Sequence, residues 1–276
     1  MTIRTFKLIS FLFILLTGQL SYGQSETDTA LLLKEFNKVM SFTIQPYVYY
    51  KSITKLDADP VIQSQDTIHM SGVFYKNLND LYFGNGLETI YLQDSLMIQI
   101  NNKRKSIWIS KVDVSTKDNM NVLPISNKAF QEIFKKNYAI KKLMVNDSTG
   151  RLNFQTIKTP GALNNITSNI DLEFSEKTIL PSLMKMQIIM SEVAGDDLLT
   201  ALKNESVDVK PLIQTIDGVN YFIRKQQATI IFETIDNTKE KAMQMPSWKT
   251  VLSFNSQAMD YTGIGKYADY EITKTF

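Results

Sequence analysis

Cysteine is absent from the 276 residues, and histidine occurs once, as His69. The first absence removes disulfides, thiol catalysis and thiolate metal sites together. It also removes the residue to which a bacterial lipoprotein's lipid is attached. His69 sits inside a strand-like pattern with no nucleophile beside it, which excludes multi-histidine zinc sites and argues against serine–histidine hydrolysis. A surplus of one charge sign is missing too. Arg4 and Lys7 account for the formal +2, and without them 28 basic residues face 28 acidic ones. A balanced chain lacks the footprint that phosphate backbones select, so nucleic acid is not an expected partner.

Long apolar runs are scarce, and the marked one, Leu8 to Leu16, falls far short of the about 20 residues that span a bilayer. Its setting explains it: Arg4 and Lys7 precede it, and the small residues Ser21-Tyr22-Gly23 follow at the spacing of a cleavage site. Residues 1–23 are therefore expected to be a signal peptide cut before Gln24. The exported chain, periplasmic or extracellular and not lipid-anchored, would keep 253 of the 276 residues. With 43% hydrophobic and 21% charged residues, it has an ordinary globular composition. No repeat or linker divides it, so residues 24–276 are read as a single β-rich domain.

The pattern after the signal opens with a helix over 27–40, where Leu32, Phe36, Val39 and Met40 recur at helical spacing and Thr27 or Asp28 caps. β-branched and aromatic residues then take over at Tyr47, Val48, Tyr49, Tyr50 and Ile53. From Ile68 to Val112 short strands alternate with turns, which predicts an antiparallel meander with Asn85-Gly86 in one hairpin. Leu96, Ile98 and Ile100 share one face of their strand, and Ile107 and Ile109 repeat the alternation around Trp108. A helix over 127–137 follows, then strands from Ile140, Arg151, Ile166 and Leu183 and a short helix over 196–203. Further strands are expected at 227–235, 249–254 and 268–273, with loops over 204–226 and 237–247.

Residues able to do chemistry are few. Asp57 with Asp59 reads as a turn before Pro60, and Asp196 with Asp197 as a helix start. Neither pair lies in a loop of alternating oxygen ligands, so no metal is expected, nor any cofactor. Gly263-Ile264-Gly265 lacks the third glycine of a dinucleotide loop and reads as a bend. Lys103-Arg104-Lys105 falls in a hairpin tip, where exposed charge is the default and anionic lipid the alternative. Met184, Met186 and Met190 share a strand face, as core filling or as an adaptable apolar surface; Met243 and Met245 flank a loop before Pro246. No constellation for acid–base or nucleophilic work emerges, so an enzyme is not expected.

The order of elements, with Ser71-Gly72-Val73-Phe74-Tyr75-Lys76, Asp80-Leu81-Tyr82-Phe83, Glu88 to Ser95 and Leu96 to Ile109, resembles the periplasmic lipoprotein carrier LolA and its half-barrel superfamily. Leu180-Pro181-Ser182-Leu183-Met184-Lys185-Met186 looks like a later strand of the same family. The resemblance implies a mainly β fold: a curved antiparallel sheet or incomplete barrel, with a few helices on the concave side. It also implies an apolar cavity for a lipid or acyl-type ligand or a lipoprotein. Leu96, Ile98, Ile100, Ile107 and Ile109 are the candidates for its lining. The alternative is an envelope module that binds another protein through a sheet edge or apolar patch.

Overall fold

A computed structural model describes residues 26–59, 61, 67–112, 135–157, 167–204, 208–216 and 218–275. The signal-peptide reading of 1–23, and all but the last residues of the helix expected over 127–137, lie outside these. The chain starts with α1 (Glu26–Met40), whose buried Leu33, Phe36, Val39 and Met40 form one stripe. A 3₁₀ turn (Ser41–Ile44) separates the helix from the first strand. There Ser41 Oγ donates to the Lys38 carbonyl at 2.7 Å and Thr43 Oγ1 to that of Met40 at 2.9 Å, which satisfies carbonyls the helix end leaves open.

The meander then runs through β1 (Tyr47–Asp59), β2 (Ile68–Asn77), β3 (Asp80–Gly84), β4 (Glu88–Gln93), β5 (Leu96–Asn101) and β6 (Ser106–Lys111). A second series comprises β7 (Tyr138–Asn146), β8 (Thr149–Thr156), β9 (Thr167–Ser175) and β10 (Pro181–Val193). After α2 (Asp196–Asn204) come β11 (Ile213–Ile216) and the long β12 (Val219–Asp236). The C-terminal segment holds α3 (Lys239–Ala242), β13 (Leu252–Asn255), β14 (Asp260–Gly263) and β15 (Glu271–Thr275).

Thirteen strands make one curved, unclosed sheet, in the order β15-β6-β5-β4-β3-β2-β1-β12-β10-β9-β8-β7, with β11 also on β12. β12 is the seam. It pairs antiparallel with β10 on one side and with β1 on the other, and so joins the two meanders. β15 is the exception in direction, lying parallel to β6.

Three expectations need correcting. Asp57 and Asp59 do not make a turn but stay in β1, opposite Gln227 and Lys225 of β12. The loop over 204–226 contains β11 and the first eight residues of β12, held extended by β11 at Val219–Phe222 and by β10 from Tyr221 onward. The loop over 237–247 contains α3, capped by Thr238, whose Oγ1 accepts from the Lys241 N–H.

Two apolar clusters lie on opposite faces of the sheet. Directly opposed residues of paired strands share a face, so the register sorts the side chains. The larger cluster packs α1 and Phe42 on Val48, Phe74, Tyr138, Ile140, Leu152, Phe154, Ile170, Leu172, Phe174, Met184, Met186 and Ile188. Lys142 ties α1 down, 2.6 Å from Glu35 and 2.8 Å from Glu176.

Buried tyrosines carry a pH dependence. Burial pushes the Tyr138 hydroxyl up to about 12, against the pull of hydrogen bonds with Ser168, at 2.6 Å, and Thr156. Burial raises Tyr50 and Tyr91 as well. The folded state therefore holds these protons more tightly than the unfolded chain, whose tyrosines titrate near 10. Their stabilisation is complete below about pH 10 and is lost as pH climbs through the folded values. Urea unfolding followed at rising pH should show stability falling above about pH 10. A stability that stays level from about pH 9 to about pH 12 would contradict the assignment.

Candidate functional site

One row of side chains crosses seven strands without a polar member: Ile68, Leu56, Ala228, Met186, Ile170, Phe154 and Ile140, from β2 to β7. It lies on the face that carries α1. On the opposite face the same seven strands give His69, Lys55, Thr229, Lys185, Asp171, Asn153 and Lys141, a row without an apolar member. There Asn153 Nδ2 donates to Asn169 at 2.8 Å and Asp171 at 2.7 Å, and Arg151 pairs with Glu173 at 2.5 Å. His69 is exposed in this polar row.

Burial along the apolar row is graded. Ile140 and Phe154 are 0% exposed and Met186 is 9%, whereas Ala228, Leu56 and Ile68 are only half-buried. The next row repeats the gradient, with Leu152 and Leu172 buried and Ile230 and Met70 half-buried. The apolar face therefore continues past the part that is fully covered. Met184 and Met186 belong to it; the Met190 side chain lies outside the described residues. Leu56, Ile68, Met70, Ala228 and Ile230 had no place in the expected lining. Their signal was period two: Leu56 stands between Lys55 and Asp57, and Ala228, Ile230 and Phe232 alternate along β12.

The expected lining residues come together elsewhere. Leu96, Ile98, Ile100, Ile107 and Ile109 lie on the face opposite α1, where Ile98 opposes Ile109 and Ile100 opposes Ile107. Except for the half-buried Leu96 they are at most 1% exposed, and they pack with Tyr91, Trp248, Val251, Leu252 and Tyr267. The C-terminal segment thus lies directly on them. On this face a row of tyrosines, Tyr49, Tyr75, Tyr82 and Tyr91, crosses β1 to β4 with ring centroids 4.8, 5.9 and 5.1 Å apart. Lys241 of α3 sits 4.6 Å above the first ring.

Polar contacts fix the segment at intervals. Gln93 Nε2 donates to the Pro246 carbonyl at 2.8 Å, and Gln93 Oε1 accepts from the Trp248 N–H at 3.2 Å. The Trp248 indole N–H donates to Asp94 at 3.1 Å. Asp94 and Ser95 form a two-residue turn with φ of 52° and 63°, the positive values a tight hairpin needs. Asp57, Asp59, Asp196 and Asp197 are not brought together by any of this. Among the described residues no group of three or more histidines and carboxylates is placed to hold a metal.

No protein-family model matches the chain, and no curated protein matches it. Among solved structures, a DUF1329 family protein from Desulfovibrio piger is similar with a TM-score of 0.31 and 9% identity, covering 84% of this chain and 99% of that one. The functional reading therefore rests on this chain's own residues.

Proposed function

We infer that this is an exported protein that holds a hydrophobic ligand, of lipid or acyl type, against the α1 face of its open sheet. The element order's resemblance to half-barrel lipoprotein carriers points the same way. The observation that carries the reading is the uninterrupted apolar row from Ile140 to Ile68, whose Ala228, Leu56 and Ile68 end keeps exposed surface. An apolar strip of that length on a curved sheet suits an aliphatic chain, which needs shape and dryness more than charge. The five isoleucine and leucine positions of β5 and β6 would serve a ligand only with the C-terminal segment lifted.

Organic extraction of protein purified from its native envelope, with mass spectrometry of the extract, should recover a stoichiometric amphiphile. A Leu56→Asp variant should lose it, since burying a charge on the strip without a partner is costly. Repeated recovery of empty wild-type protein would end the proposal. The second reading, an envelope module that binds a protein, draws on the sheet edge at β7, where Leu143, Met144 and Val145 are 48%, 57% and 43% exposed. A Leu143→Lys variant that loses an envelope partner while keeping its extractable lipid content would favour that reading.

A further inference from the structure

We propose that the tip of the β5–β6 hairpin is a contact for anionic lipid surfaces. The tip carries Lys103, Arg104 and Lys105, all exposed. It is braced rather than loose. The Arg104 N–H donates to Asn101 Oδ1 at 2.8 Å, the Asn102 N–H to the Leu87 carbonyl at 2.9 Å, and Asn102 Nδ2 to the Gly86 carbonyl at 2.8 Å. From the C-terminal segment, the Tyr270 hydroxyl donates to Asn102 at 3.3 Å and the Glu271 N–H to the Lys105 carbonyl at 2.9 Å. Two hairpin turns and the start of β15 are thereby knit into one platform.

The charges on that platform are unequal. Lys105 is taken up by Asp269 in an ion pair. Lys103 and Arg104 have no ion pair among the described residues, while Glu271 is exposed at β15 and Glu88 is half-buried at the neighbouring turn. Beside the basic pair stands Leu87, 51% exposed on the turn to which Asn102 is bonded. Cations flanking an exposed aliphatic side chain on a fixed platform match a membrane interface, where headgroups take the charge and the boundary region takes the apolar group. A soluble polyanion would use only the first. Because the exported chain is close to neutral overall, any attraction to such a surface must come from a local patch. The proposal does not depend on the ligand: empty protein would dock equally well.

The test is co-sedimentation of the protein, purified after export, with vesicles of phosphatidylcholine alone or mixed with phosphatidylglycerol. Each exposed basic side chain should contribute roughly fivefold to partitioning onto the anionic surface, so Lys103→Gln with Arg104→Gln should weaken it roughly 25-fold. Salt should weaken wild-type binding as well. Leu87→Ser should weaken it at fixed charge. The proposal is overturned if the double variant binds as wild type does, or if neutral vesicles bind equally. It is also overturned if heparin captures the protein by Lys103 and Arg104 while vesicles do not. Unchanged circular dichroism of the variants separates loss of the contact from loss of the fold.

Discussion

Phe154→Ala is expected to destabilise the protein by about 3–5 kcal/mol, the range for truncating a buried aromatic side chain. Phe154 is 0% exposed and stands in the apolar row between Ile140 and Ile170. Its ring meets that of Phe36 on α1 edge to face, with centroids 5.0 Å apart. The substitution thus removes transfer free energy and opens a cavity where α1 meets the sheet. Against a total stability of about 5–15 kcal/mol, such a loss is a large fraction. The midpoint of urea unfolding should fall accordingly. Combining it with Phe36→Ala should reveal a coupling of about 0.5–1.5 kcal/mol beyond the separate losses. A change below about 1 kcal/mol for Phe154→Ala would mean that α1 is not docked on β8.

How much of this could be read beforehand depended on whether a feature is local. The meander was legible because each of its strands alternates and each of its turns has turn chemistry. Ile98 and Ile109 were seen to share a face for the same reason. What lies over that face was not legible, because Trp248, Val251 and Tyr267 arrive from the far end of the chain and no local pattern announces the contact. In the sequence β12 reads short because Arg224, Lys225 and Gln226 have the composition of a loop. They are extended because β10 holds all three, with β1 on the other side from Lys225 onward. Asp57 and Asp59 misled in the same manner, since pairing on a polar face overrides the low strand preference of aspartate. The candidate site suffered most. Alternation sorts side chains into two faces, but only the register across seven strands tells which face carries α1.

Trp248→Ala should have a comparable effect on the other face, about 3–5 kcal/mol, again from loss of a large buried side chain. Trp248 is 7% exposed, and its indole N–H anchors on Asp94 of the β4–β5 turn. Its removal loosens the cover over Ile98, Ile100, Ile107 and Ile109, so the backbone amides of β15 should exchange faster with solvent water. A dye that binds apolar surface should bind more strongly. β15 is the part expected to yield first, because four of its five residues are exposed and its ion pair, Lys274–Asp260, lies near the surface like the Lys105–Asp269 pair just before it; such pairs contribute little. The two clusters lie on opposite faces and share no residue. Phe154→Ala and Trp248→Ala should therefore add to within about 0.3–0.5 kcal/mol in the double variant. A large departure from additivity would show that the two sides of the sheet communicate, and a ligand on the α1 face would then act on the C-terminal cover as well.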